Sequence, residues 1–270
     1  MARLGSARRG ESRQGRARGV SEAATPTTPT ITVTRRGSGR SYAIDGRPVP
    51  GVTSVIDAGY PKAALQQWAA DETARYALEH ADELAELGRI RAYDKLRRAR
   101  YLELDKAKVF GSDVHRLAEK LSAGEEVEVP PQAVGHVDQA LKFFDEHDVH
   151  VRFTETTVAN ATVGYCGTFD LLADTCHGPA LIDYKTSKSG PYPEAALQLA
   201  AYRHAEWMLT DGVVVPMVPV DLCAVCWLRA ETYELIPVTA DASVFRAFRY
   251  VAQVAQVAQA DRSVYIGEAL

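Results

Sequence analysis

From residue 31 onward the chain alternates short apolar runs with turn-forming residues. Residues 31–34 and 41–44 flank Arg36-Gly37-Ser38-Gly39 and predict a hairpin. Asp45-Gly46 and the stretch 48–51 supply further turns before the apolar residues 52–56. Pro61 then opens a helix to about residue 87, carrying Leu65, Trp68, Ala69 and Tyr76 at approximate helical spacing. Gly88 separates it from a second helix over 89–121, where Phe110, Val114, Leu117, Ala118 and Leu121 form an apolar stripe. A third helix over 131–146 repeats apolar positions at Val134, Val137, Leu141 and Phe144.

After Asp148 the period changes to two. Val149, Val151, Phe153, Glu155 and Thr157 alternate with His150, Arg152, Thr154 and Thr156. Strands over 167–173 and 180–186 follow, joined by the turn Cys176-His177-Gly178-Pro179. A helix is predicted over 193–209, then a hairpin of 222–228 with 232–238, and a last helix over 242–259. Strands mixed with helices in this order predict an α/β fold, a mixed sheet with helices packed on it and a helical N-terminal region.

Composition narrows the class. The 270 residues are 46% hydrophobic and 24% charged, which describes a globular chain rather than a disordered or collagenous one. The most apolar stretch, 213–220, is interrupted by Pro216 and Pro219 and is too short to cross a bilayer. No apolar segment follows the basic N-terminus, so neither a secretory leader nor a membrane partner is expected, and the location expected is cytoplasmic. The net charge of −4 is uneven: residues 1–30 carry +4 and the remaining 240 carry −8. That Arg-, Gly-, Ser- and Pro-rich tail is expected to be disordered, contacting a polyanion or reflecting an upstream start. Residues 31–270 are expected to form one domain, with a hairpin and helical part over 31–147 and the sheet core with its C-terminal helix over 148–270. Cys223-x-x-Cys226 has zinc-ligand spacing but no second pair, and it lies inside an apolar strand, so both cysteines read as small core residues.

The chemistry concentrates between residues 111 and 202. Asp183 and Lys185 are two apart in a strand whose neighbours Leu181, Ile182 and Tyr184 are apolar or aromatic, so a carboxylate and an ammonium leave a central strand on one face. Alone, that pair reads as a partly buried salt bridge. Asp170 lies on the preceding strand, Gly167 three residues before it permits close backbone approach, and Glu155 stands on the strand before that. Carboxylates converging on one sheet edge suit a hard divalent cation, Mg²⁺ or Mn²⁺, and activation of water for attack on phosphorus. His115 sits beside the apolar stripe four residues after Gly111, and Gln198 and Tyr202 stack at i and i+4 on the helix that follows. The basic run of residues 89–108, including Arg97 and Arg98, reads as a solvated face or a phosphate-contacting surface.

The ordered series Gly111-x-x-x-His115, Glu155, Gly167-x-x-Asp170, Asp183-Tyr184-Lys185 and Gln198-x-x-x-Tyr202 resembles the PD-(D/E)XK nuclease superfamily. It is similar in particular to the RecB-like branch, which includes phage exonucleases and the CRISPR-associated RecB-like exonuclease. The likeness spans about residues 110–205, and Tyr42 to Ile56 with the Trp68 helix resembles the entry region of phage-type members. It implies a restriction-endonuclease-like core and a Mg²⁺- or Mn²⁺-dependent DNase, an exonuclease on DNA ends or single strands, with a recombination or replication protein as partner. Asp170, Asp183, His115 and the backbone carbonyl of Tyr184 are implied as metal ligands and Glu155 as an auxiliary. Lys185 is implied to orient the attacking water and stabilise charge, and Gln198 and Tyr202 to position phosphate or water, with Arg97 and Arg98 as further substrate contacts. No Pro precedes Asp170, and the cysteines are not placed as in iron–sulfur members, so no such cluster is expected. A structure-specific endonuclease or nickase with the same site, and a DNA-end-binding accessory protein with little turnover, are the competing readings.

Overall fold

The computed structural model describes residues 28–268 apart from 38, 123 and 188. Of the tail expected to be disordered, 1–27 lie outside the described residues. The elements run β1 (Ile31–Arg36), β2 (Gly39–Ile44), β3 (Arg47–Val49), α1 (Val52–Gly59), α2 (Ala63–Glu79), α3 (Ala81–Ser122) and α4 (Val134–Glu146). Then follow β4 (His150–Asn160), β5 (Tyr165–Thr175), β6 (Gly178–Lys185), α5 (Glu194–Arg203), β7 (Trp207–Thr210), β8 (Val213–Pro216), β9 (Leu222–Leu228), β10 (Tyr233–Pro237) and α6 (Ala242–Gln259).

Strands β1, β2 and β3 form a small antiparallel sheet. The main sheet has seven strands in the order β10-β9-β6-β5-β4-β7-β8. It is mixed: β6 and β9 run parallel, and every other neighbouring pair is antiparallel. Adjacent residues of the central strands serve opposite layers, as a pleated strand requires. Leu172 and Leu181 join α1, α5 and α6 residues such as Val52, Leu199 and Phe248 on one face. Leu171 and Ile182 join Val114 and Leu117 of α3 and Val137 and Phe143 of α4 on the other. The molecule is therefore an α/β fold with a central mixed sheet flanked by helices and a small N-terminal region. Among the described residues no helix is long and apolar enough to cross a membrane.

Several local expectations are corrected. Residues 52–56 open helix α1, whose Gly59 lies so close to α6 that a Cβ there would come within 2.2 Å of the Val251 carbonyl oxygen. The helix beginning near Pro61 ends earlier than expected, at Glu79, with a further helical segment from Ala81, whereas the separation expected at Gly88 is present, its φ of +70° breaking the helical path. The helix expected over 193–209 stops at Arg203, because Trp207–Thr210 pairs with β4 and turns back through Asp211-Gly212 into β8. Both turn residues have positive φ, +51° and +78°, which is the two-residue hairpin that Asp-Gly favours. The even alternation expected along β4 is broken by a register shift between Val151 and Phe153, and Val151 is 38% exposed. Cys223 and Cys226 are buried free thiols in β9, facing opposite layers of the core as the reading of them as small core residues requires.

Candidate functional site

The site sits where two central strands part. β5 and β6 pair from Thr175↔Gly178 as far as Leu171↔Ile182. The next rung in that register sets Asp170 opposite Asp183, and there the ladder ends. β6 continues alongside β9 to Lys185↔Trp227, while β5 continues alongside β4 back to Tyr165. A fork opens in the middle of the sheet. The amide freed at Tyr184 donates to Asp170 Oδ2 at 2.9 Å, so a side chain takes over the pairing that the neighbouring backbone abandons.

Around this fork the expected residues gather from four elements, β5, β6, α5 and α3. Asp183 is 2% exposed, with Lys185 Nζ 2.5 Å from its Oδ2 and Gln198 Nε2 donating to its Oδ1 at 2.7 Å. Gln198 also lies 3.4 Å from the Tyr202 hydroxyl. His115 reaches in from α3 on the opposite layer, its Nδ1 3.6 Å from Asp170 Oδ2 and its ring 5.5 Å from that of Tyr184. Two glycines make these approaches possible. A Cβ on Gly167 would fall 2.4 Å from the Tyr202 ring, and one on Gly111 would fall 3.1 Å from Thr186 Oγ1. The first glycine lets α5 lie on β5, and the second brings α3 to the end of β6.

The electrostatics are those of concentrated negative charge with one cation inside it. Burial raises the Asp170 carboxyl above its ordinary value, opposed by His115 and reinforced by the Asp183 charge. Burial works against the Lys185 ammonium, but Asp183 and Asp170 outweigh it and hold the amine above its ordinary value, so it is charged at neutral pH. Burial, and then the two carboxylates, push the Tyr202 phenol well up, so it keeps its proton. Asp183 Oδ2 is buried, with the Lys185 ammonium 2.5 Å away as its cationic partner. A buried carboxylate oxygen is costly unless a cation satisfies it, and Lys185 supplies that charge here.

This donor set, two carboxylates with an imidazole alongside, fits a hard divalent ion in chemistry. Its spacing is open rather than closed. The ligand atoms of His115, Asp170 and Asp183 do not all lie within 4.8 Å of one another, with Asp183 held by Lys185 and Gln198; among the described residues, His147, Cys176 and His177 do meet that spacing.

In the β4–β5 register Glu155 falls opposite Asp170 on the neighbouring strand. The β4–β5 ladder skips it between Thr154↔Leu171 and Thr156↔Phe169, and its backbone is left-handed, with φ of +44°. Its carboxylate pairs with Arg40 of β2, tying the small sheet to the large one. Arg97 and Arg98 are exposed on α3, and Arg97 lies 4.0 Å from Asp94 rather than against the carboxylate cluster. Sequence reasoning missed the Tyr42 hydroxyl, 3.1 Å from Thr168 Oγ1 two residues from Asp170. No local pattern announces that contact, since its partners are 126 positions apart. No family model matches the chain, and no curated protein matches it.

Proposed function

We propose that this protein is a divalent-cation-dependent nuclease of the PD-(D/E)XK kind, hydrolysing phosphodiester bonds in DNA at the fork between β5 and β6. The observation that carries the reading is the convergence of Asp170, Asp183 and Lys185 at the rung where the two strands separate, with Asp183 buried against the Lys185 ammonium. The order of the matching motifs along the chain and the preference of such a donor set for Mg²⁺ or Mn²⁺ support it further.

Asp170 and Asp183 would hold the ion, with His115 and the Tyr184 carbonyl as further ligands. When bound, the ion acidifies a coordinated water and draws charge from phosphate oxygens. The chain's own contribution is orientation and charge. Gln198 fixes the Asp183 carboxylate through Oδ1 and leaves Oδ2 facing Lys185. Tyr202, protonated and packed against Gly167, keeps Gln198 in place. Lys185 remains cationic and can donate to the attacking water or to an oxygen on phosphorus as negative charge builds there. An exonuclease acting on ends or single strands is the form of this activity that the motif likeness favours.

The test is degradation of end-labelled linear DNA and of covalently closed single-stranded circles, with Mg²⁺, Mn²⁺ or chelator. Loss of linear DNA with either cation, none with chelator, and inactivity of Asp183→Ala and Lys185→Ala are expected. Wild-type degradation by either variant would overturn the reading, and cleavage of the closed circles would replace the exonuclease by an endonuclease.

A further inference from the structure

A second cluster of ligating side chains lies away from the fork. His147 ends α4, and Cys176 and His177 form the turn between β5 and β6. Cys176 is six residues beyond Asp170 along the chain, roughly 20 Å at strand rise. His147 Nδ1 and His177 Nε2 are 3.1 Å apart, and one ring nitrogen of each histidine and the Cys176 sulfur all lie within 4.8 Å of one another. A tetrahedral ion bound 2.0–2.1 Å from nitrogen and 2.3 Å from sulfur spaces two nitrogens and one sulfur about 3.3–3.6 Å apart, so the set already stands near the required separation.

The backbone holds the three together without help from the ligating atoms. The Cys176 amide donates to the His147 carbonyl at 2.9 Å, fastening the turn to the end of α4. The His177 amide donates to Thr175 Oγ1 at 3.0 Å, and that hydroxyl donates to the Gly178 carbonyl at 2.9 Å. The His147 ring is braced by Phe143 and Tyr233, at centroid distances of 5.6 and 6.0 Å. Cys176 and His177 are exposed, so an ion can enter from solvent.

We propose that His147, Cys176 and His177 bind one zinc ion, with the fourth position open to water, and that the ion clamps the end of α4 to the β5–β6 turn. One thiolate and two imidazoles suit a borderline-soft, redox-inert divalent ion and not the hard Mg²⁺ expected at the fork. On binding, the Cys176 S–H bond breaks as the zinc–sulfur bond forms, the proton going to solvent. The proposal is independent of the nuclease reading.

The experiment uses the full chain carrying Asp183→Ala, which disables the fork as a competing site, and reads binding rather than cleavage. Zinc is titrated by calorimetry and cobalt by absorption. One Zn²⁺ per chain, a thiolate-to-cobalt charge-transfer band, and retention of zinc in a large excess of Mg²⁺ are expected. Cys176→Ser should abolish the band, and it and His177→Ala should each weaken zinc at least about tenfold, since losing a ligand costs no less than losing a residue that supports one. Both variants are at exposed positions, and circular dichroism verifies that they fold. A cobalt complex without the thiolate band, zinc affinity unchanged in both variants, or displacement by Mg²⁺ would overturn the proposal.

Discussion

The amide of Tyr184 donates to the carboxylate of Asp170 at the point where β5 and β6 cease to pair, so one side chain both ends a ladder and stands at the mouth of the site. It gives Asp170 a structural duty separable from its charge. Asp170→Asn keeps an acceptor for the amide and removes a buried charge facing Asp183. Asp170→Ala leaves the amide without a partner, at a cost of about 1–3 kcal/mol. In chelator, Asp170→Asn should therefore melt above the wild type and Asp170→Ala below Asp170→Asn, while neither degrades DNA. Thermal denaturation followed by circular dichroism checks the order.

The same carboxyl makes stability depend on pH. Burial, reinforced by Asp183, raises Asp170 above its ordinary 3.8, so the folded state binds this proton more tightly than the unfolded state. Its contribution is complete below the ordinary value and is lost as pH rises through the raised one. Without divalent cations, the wild type should lose stability relative to Asp170→Asn across that window. Added Mg²⁺ should raise the melting temperature more at pH 8 than at pH 5. Melting curves of the two proteins, with and without Mg²⁺, would show an equal cation effect at both pH values if this linkage were absent.

Gly167 and Tyr202 should behave as a coupled pair. A Cβ at 167 would meet the Tyr202 ring at 2.4 Å and a Val52 methyl at 3.0 Å. Gly167→Ala should cost about 1–3 kcal/mol as overpacking and reduce cleavage by moving Tyr202 and, through it, Gln198. Combined with Tyr202→Ala, which vacates the space, the losses should sum to less than their separate values. A double-mutant cycle by urea denaturation measures the difference.

Glu155 holds a left-handed backbone that its side chain does not favour, at a cost of the order of 1 kcal/mol. Its ion pair with Arg40 is about a third exposed and contributes little. Glu155→Gly should then be at least as stable as the wild type, and Glu155→Ala less stable than Glu155→Gly. Denaturant midpoints decide this. If Glu155 also assists the reaction, cleavage falls in both variants while stability separates them.

Much of the architecture was legible along the chain. Short apolar runs bounded by turn residues placed β5, β6, β9 and β10 close to their observed ranges, an apolar repeat placed α4, and α6 stands where a last helix was expected. Local signals failed where a distant strand intervened. The segment after Arg203 continued a helical composition, yet Trp207–Thr210 was captured by the edge of β4. The Asp211-Gly212 turn that marks this hairpin is a local signal, but the helical composition on its N-terminal side outweighs it in the sequence.

The motif residues of the site were likewise readable, because Asp183 and Lys185 must share a face of one strand, and Gln198 and Tyr202 a face of one helix. Spacing of that kind is a property of a few consecutive residues and holds wherever the segment packs. The parting of β5 from β6, the reach of His115 across the sheet to Asp170, the pairing of Glu155 with Arg40 and the meeting of His147 with Cys176 and His177 are of another kind. Each depends on which segments become neighbours once two layers of helices close over the sheet. That outcome is set by the summed burial of both apolar faces, which no short window of sequence contains.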